Sequence, residues 1–267
     1  MKIGFAGCGN MGKAMLKGLL TKGFADKSEV FVHTERRESM DKIKSEFGVN
    51  IMDSNADAAK ESDIIILAIK PDKYKEVIKE IKKEIKAGSI LLGITPALTI
   101  ATMEKHLDRK DVLVARAMPN TPAMVMVGMT GISFSKRFDD GNKKVLMDLF
   151  ASMGEVIEID EGLMGAIGSL SGASPAYTYM LIEAMGEMGI QLGFKAKDAY
   201  RISAMAVMGS AKMVLESGDH PAILRDNVCS PNGTTIAGVN ELEANGFKGN
   251  IQEAMLKSLK RFKDLEH

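Results

Sequence analysis

The short apolar run 2–6 passes directly into Gly7-Cys8-Gly9-Asn10-Met11-Gly12 and then into a helix-forming stretch, 13–20. A strand, three glycines at G-x-G-x-x-G spacing and a helix in immediate succession leave few folds open to a chain. Gly7 permits a tight turn, Gly9 lets the backbone approach a pyrophosphate, and Gly12 allows close contact between helix and strand. The helix start adds free amides and the positive end of its dipole. A merely glycine-rich turn does not explain all three spacings, so a dinucleotide-binding unit is expected here.

The rest of the first half keeps the same rhythm. Candidate strands fall at 2–6, 29–33, 64–69, 90–94, 112–115 and 131–134, with 156–159 as a further candidate, and helical patterns lie between them. That alternation predicts an α/β fold with a parallel, doubly wound sheet of Rossmann type. From about Gly162 the β-branched runs stop, and Ala, Met, Gly and Leu dominate stretches such as 175–192 and 197–216. Residues 1–161 are therefore expected to form the dinucleotide-binding domain and 162–264 an all-α domain. A length of 267 residues suits two domains. Leu265-Glu266-His267 reads as the start of an expression tag and is set aside.

Composition removes several classes of function. Lys plus Arg and Asp plus Glu number 35 each, so no global field favours nucleic acid or an acidic membrane. No apolar run approaches the roughly 20 residues of a bilayer span, and the N-terminus lacks a signal-peptide pattern, so a soluble cytoplasmic protein is expected. Cys8 and Cys229 are far apart and the four histidines are scattered, which predicts free thiols and no metal site. The 20 Met read first as adaptable helical core. Segment 204–215 is apolar most of the way round, beyond what one neighbouring helix covers, so a homodimer or a higher homo-oligomer is expected.

Near the end of the second strand stands His33-Thr34-Glu35-Arg36-Arg37. A Thr at the strand end followed by arginines suits the 2′-phosphate of NADPH, whereas a carboxylate there would repel it. Glu35 keeps NADH open as the alternative, since a shift of one residue would place an acid near the ribose. Lys70, before Pro71 at a further strand end, is a candidate cofactor contact or a plain surface lysine.

Three later segments carry a resemblance, and two of them are much more specific than the glycine loop. Arg116-Ala117-Met118-Pro119-Asn120-Thr121-Pro122-Ala123, too punctuated by proline for a helix interior, resembles the M-P-N-T-P loop of the pyrroline-5-carboxylate reductase family. The run Asp226 to Gly238, containing Ser230-Pro231-Asn232-Gly233-Thr234-Thr235, resembles that family's V-x-S-P-G-G-T-T signature. Residues 169–177 resemble its S-G-S-G-P-A-Y segment. The glycine motif, Asn55 and Ala68-Ile69-Lys70-Pro71 match in order, so the resemblance spans essentially the whole chain.

The resemblance implies an NADPH-dependent reduction of Δ1-pyrroline-5-carboxylate to L-proline, the last step of proline biosynthesis. It implies Thr235 at the imine nitrogen, Ser230, Gly233 and Thr234 around the substrate carboxylate, and Asn120 at the substrate. On the cofactor side it implies Gly7, Gly9, Asn10, Met11, Gly12, Thr34, Arg36, Asn55, Ala68, Ile69, Lys70, Pro71 and Met118. The chemistry agrees, because reducing a cyclic imine needs a positioned hydride donor, a proton and a carboxylate clamp but no metal or covalent nucleophile. Asn232 replaces a usual Gly, Ala173-Ser174 a Ser-Gly pair and Thr95-Pro96-Ala97 a small Ala-Ala-Gly stretch, which leaves a related cyclic imino acid open as substrate. A β-hydroxy acid dehydrogenase using Lys195, Lys197 or Lys212, and a non-catalytic NADP-binding regulator, are the competing readings.

Overall fold

The apolar runs of the first half become strands β1 (Ile3–Ala6), β2 (Val30–His33), β3 (Asn50–Ile51), β4 (Ile64–Leu67), β5 (Ile90–Gly93), β6 (Leu113–Met118), β7 (Gly128–Phe134) and β8 (Gly154–Glu158). They are seen in a computed structural model that describes residues 1–96 and 98–266. Ala97, of the Thr95-Pro96-Ala97 stretch, and His267 lie outside the described residues. The strands form one sheet in the order β3-β2-β1-β4-β5-β6-β7-β8. The order reverses about β1, as in a Rossmann sheet, and this opens a crevice beyond the carboxyl ends of β1 and β4.

Every pairing is parallel except β6 with β7, an antiparallel pair within the expected doubly wound sheet. The connection 119–127 explains the exception. A parallel return needs a crossover of about a dozen residues or more, and this loop holds only a short 3₁₀ turn, Thr121–Val125. β6 also runs on to Met118, so Arg116, Ala117 and Met118 belong to the strand rather than to the loop after it.

Helices α1 (Asn10–Thr21), α2 (Arg37–Phe47), α3 (Asn55–Glu61), α4 (Tyr74–Ile81), α5 (Ile100–Leu107) and α6 (Asp140–Ala151) alternate with the strands. Alternation of side chains along β4 divides its residues between two cores. Ile64 and Ile66 pack with Met15, Leu16 and Leu19 of α1, while Ile65 and Leu67 pack with Ile78 and Ile81 of α4 and Met103 and Leu107 of α5. A strand covered on both faces reads as a continuous apolar run, as Ile64–Leu67 does. Burying each such side chain contributes roughly 1.5–3 kcal/mol.

Beyond the sheet come α7 (Met164–Ile167) and a π turn, Gly168–Gly172, followed by α8 (Ser174–Gln191), α9 (Ala196–Ser217), α10 (Pro221–Asn227), α11 (Thr234–Ala244) and α12 (Phe247–Leu265). By contacts the chain divides into two compact units: Met1–Ala173 with the last residues from Ser258, and Ser174–Lys257. The change in texture at Gly162 marks the start of the helical sequence; the contact boundary falls later because α7 and the end of α12 are part of the first unit. There, Phe262 is buried with Met118, Met164 and Ile167, and Gly165 and Gly168 leave room for its ring.

The same end of α12 meets a buried cation. Arg116 is 1% exposed, pairs with Glu161 at 3.3 Å and Glu266 at 2.6 Å, donates to the Pro96 carbonyl, and lies 5.7 Å from the Phe262 ring. Glu266, set aside on sequence as tag, is thus a partner of the largest fully buried side chain.

In the second unit α8 and α9 pack together, with Gly186 against the Tyr200 ring and Gly189 against Ala199. Met180, Met188, Ile202, Met205, Met208 and Leu215 remain exposed on the single chain.

The β7–β8 edge depends on glycine. Gly154 has φ +142°, and a Cβ there would lie 2.1 Å from the Gly128 carbonyl oxygen. Neither backbone can yield without breaking the Gly128 N–H bond to the Met153 carbonyl. Gly154→Ala is expected to cost roughly 3 kcal/mol of stability or more, read as a lower urea midpoint at unchanged m-value; a wild-type midpoint would refute the packing argument.

Candidate active site

The three glycines after β1 have different tasks. Gly7 is left-handed at φ +77°, and a Cβ on it would sit 2.6 Å from Ile69 Cγ2 and 2.7 Å from the Ala68 carbonyl oxygen. The fold itself requires glycine there. A Cβ at Gly12 would meet Cys8 Sγ at 3.2 Å and Ala68 Cβ at 3.3 Å, so Gly12 sets the close approach of α1 to the end of β4. Gly9 differs: nothing lies within 4 Å of its would-be Cβ. Its missing side chain leaves open space in the crevice rather than relieving a contact of the chain.

Gly9 is also the N-cap of α1, with no side-chain cap and no acidic residue in the first turn. The first amides are therefore left for an anion, with the positive end of the helix dipole behind them. These features fit the pyrophosphate of a dinucleotide. Asn10 and Met11 open this helix. Cys8, between the glycines, is buried, and burial pushes its thiol up to about 12, with Lys13 lowering it and Glu46 raising it. It remains a neutral thiol beside the anion site.

A cavity of about 630 Å³ continues from this turn. It brings together Gly7, Gly9, Thr34, Arg36, Asn55, Ala68, Ile69 and Lys70 of the expected cofactor set. Asn10, Met11, Gly12, Pro71 and Met118 do not line it. Thr34 is almost buried, and its hydroxyl donates to the Arg36 carbonyl at 3.2 Å, which fixes the turn after β2. Asn55 opens α3, and its Nδ2 donates to Glu80 Oε2 at 2.8 Å. Sequence reasoning missed Ser39, Asp53, Lys73, Glu76 and Glu80, all of which line the cavity. They come from helices and turns whose solvent-facing polar residues carry no motif.

Met118 ends β6 and is buried against Phe262. Asn120 is also buried, and both ends of its carboxamide are engaged: Nδ2 donates to the Ser171 carbonyl at 3.0 Å, and Oδ1 accepts from Met129 N–H at 2.9 Å. In this arrangement it braces the loop between β6 and β7.

The second cluster lies in the helical unit. Gly233 N–H donates to the Ser230 carbonyl at 3.0 Å, and Asn232 between them has φ +57°. Proline at the second position and a left-handed residue at the third are what a type II turn requires, and Asn tolerates that conformation better than most residues. Asn232 therefore preserves a turn that would otherwise call for glycine. A Cβ on Gly233 would lie 2.3 Å from Ser230 Oγ, so Gly233 packs directly on that hydroxyl.

α11 starts immediately afterwards, with Gly233 as N-cap and no side-chain cap. Thr234 and Thr235 are exposed, and among the described residues neither hydroxyl has a hydrogen-bond partner. One short loop thus offers Ser230, two threonine hydroxyls and the open amides of a helix start, a donor set suited to a carboxylate.

Comparison with known proteins bears on both clusters. Over 99% of its length the chain is 40% identical to a pyrroline-5-carboxylate reductase of Escherichia coli, covering 98% of that relative. The chain belongs to the pyrroline-5-carboxylate reductase family. A profile described as pyrroline-5-carboxylate reductase dimerisation matches residues 161–265, and one described as NADP oxidoreductase, coenzyme F420-dependent, matches residues 2–97. A crystal structure of Plasmodium falciparum pyrroline carboxylate reductase with NADP bound superposes with a TM-score of 0.91 at 30% identity, covering 100% of this chain and 98% of that one. The family match spans the sheet and the helices alike. No group of His, Cys, Asp and Glu suited to a metal occurs among the described residues, and no helix there is long and apolar enough to cross a membrane.

The geometry of Gly9 gives a direct test. Gly9→Ala should fold with an unchanged melting temperature, because its methyl meets no atom of the chain, yet weaken dinucleotide binding about tenfold or more by blocking backbone contact with the pyrophosphate. Circular dichroism and NADPH fluorescence titration separate the two effects; unimpaired binding would remove Gly9 from the site.

Proposed function

We propose that this chain reduces Δ1-pyrroline-5-carboxylate to L-proline, using NADPH in preference to NADH, with Thr235 at the imine nitrogen. The reductase activity follows from the family. The preference and the residue roles are supported by the chain's own groups.

One observation carries the assignment of Thr235. A hydroxyl next to a helix start can be spent as the cap of that helix, and glycine can cap without one. Here the cap is Gly233, and the hydroxyls of Thr234 and Thr235 have no partner among the described residues. When bound, the reduced nicotinamide supplies the hydride that adds to the carbon of the C=N bond. The nitrogen takes up one proton in the same conversion. Thr235 holds the ring nitrogen through its hydroxyl and relays a proton from water. Ser230 Oγ, Thr234 and the amides at Gly233 and the start of α11 clamp the carboxylate. Asn120 keeps the loop after β6 in shape through its two backbone contacts.

On the cofactor side, the first turn of α1 receives the pyrophosphate. Thr34 places no carboxylate where the 2′-phosphate would lie, and Arg36 supplies positive charge in the same cavity. Ala68, Ile69 and Lys70 line the wall contributed by the end of β4, and Asn55 the start of α3. Cytoplasmic residence accords with the free thiols Cys8 and Cys229.

The active form is a homodimer or an assembly of dimers. The exposed apolar side chains of α8 and α9, among them Met180, Met205 and Met208, form too large an apolar surface for a lone subunit in water. Dissociation should therefore abolish activity, and sedimentation that found a fully active monomer at assay concentration would overturn this part of the reading.

Kinetics test the loop. Thr235→Ala should lower kcat/KM with pyrroline-5-carboxylate roughly a hundredfold to ten-thousandfold while NADPH affinity and folding stay near wild type. Thr234→Ala should act mainly through KM, because backbone amides share its task. If Thr235→Ala retained wild-type kcat/KM, the loop would be left as a helix start and the catalytic assignment would fail.

A further inference from the structure

The cavity beside the glycine turn holds a pair of residues whose arrangement bears on the choice between NADPH and NADH. Glu35 follows the end of β2, and Lys73 lies in the turn after β4. β2 and β4 flank β1 on either side. Lys73 Nζ is 3.5 Å from Glu35 Oε1 and 3.3 Å from Glu76 Oε2, so this lysine bridges from one wall of the crevice to the other above β1. Hydrogen bonding to Glu76, the charge of Glu76 and then that of Glu35 hold Lys73 above the ordinary lysine range, so it is a full cation near neutral pH.

Resting on the NADPH reading of this cavity, we infer that Lys73 is a specificity residue for the cofactor's 2′-phosphate, and that Glu35 is the carboxylate holding it until the phosphate takes that place. Charge makes the exchange favourable. The cavity wall carries Glu35, Asp53, Asp72, Glu76 and Glu80 against Arg36, Lys70 and Lys73, five acids to three bases. A phosphate entering such a wall is bound only if the bases are turned towards it. A phosphomonoester brings a charge of about −1.5 to −2, more than a single carboxylate, and so competes well for an ammonium. The pair is exposed and hence weakly held, which keeps the exchange cheap. Lysine also has three donors, so it can retain Glu76 while changing its other partner.

Glu35 then acquires a definite role. With Lys73 beside it, it is not a bare acid turned to the ribose, and the ammonium still stands between carboxylate and phosphate after the exchange; with the cation removed, it would repel a 2′-phosphate and accept from ribose hydroxyls instead, as the acid of an NAD site does. Lys73 therefore acts twice, by attracting the phosphate and by neutralising its rival.

Calorimetry with 2′,5′-ADP and 5′-AMP tests this without turnover, since the two differ only in the 2′-phosphate. On the full chain, wild type should bind 2′,5′-ADP more tightly. Lys73→Met should weaken 2′,5′-ADP about tenfold while leaving 5′-AMP within about twofold, and Lys73→Arg should restore most of the preference. Glu35→Gln should tighten 2′,5′-ADP severalfold, and adding it to Lys73→Met should recover part of the loss, because the bare carboxylate is gone. If Lys73→Met kept the wild-type ratio of affinities, this inference would fall while the NADPH reading stood. If wild type itself showed no preference for 2′,5′-ADP, the NADPH reading would fall and this inference with it.

Discussion

The contact between the turn at Gly7 and the end of β4 is the constraint around which the sheet unit is organised. A Cβ on Gly7 would collide with both Ile69 and the Ala68 backbone, and Ala68 also sits under Gly12 at the start of α1. One small patch of chain therefore sets how β1 ends, where α1 begins and how far β4 may project. The anion site is a product of that packing: amides at the head of α1 are aimed and left uncapped because the strand, turn and helix leave no other path. Gly9 alone among the three has room around it, so the same motif combines a folding requirement with space for a ligand.

Legibility in the sequence followed the number of groups that must agree. β1, β4 and β5 were readable because burial on both faces demands an unbroken apolar run, as in Ile64–Leu67, and β2 through Val30 and Val32, which alternate with half-buried residues. β3, with two residues and an Asn, had no such run to show. The antiparallel β6–β7 pair was hidden because strand direction is set by the connecting loop, and the proline-rich segment drew attention as a motif rather than as a connection too short to cross over. Within the site, the glycines and the Ser230–Thr235 loop were legible as local strings. Lys73, Glu76 and Glu80 were not, because each is an ordinary polar residue of a surface helix or turn until the fold brings it to the cavity of Thr34 and Asn55.

Arg116 shows the opposite failure. In the sequence it reads as the head of a loop motif, yet it is a strand residue, buried in β6. A buried cation is tolerable only with partners, and these come from distant positions: Glu161, the Pro96 carbonyl and Glu266. Glu161 also accepts from Ile100 N–H at 2.7 Å, so one carboxylate joins β6 to the head of α5. Losing a partner from such a set leaves an uncompensated charge, which makes Arg116 a fixed point of the region that ends in Met118 and Asn120. No local pattern announces a cation whose partners lie that far away in the chain.

The loop Ser230–Thr235 combines features that point to chemistry. Two threonines are adjacent to the start of α11, yet the cap is Gly233 and no side chain satisfies the first amides. Asn232 is held at φ +57°, a conformation most residues avoid, and a Cβ on Gly233 would lie 2.3 Å from Ser230 Oγ, so a side chain there would displace that hydroxyl. The turn is held tight, the hydroxyls of Thr234 and Thr235 are without partners among the described residues, and the helix amides stay open. Other helices of this chain, α1 and α9 among them, also start without a side-chain cap, so what marks this loop is the combination of a tight turn, open amides and hydroxyls without partners among the described residues, as expected where a chain binds something other than itself.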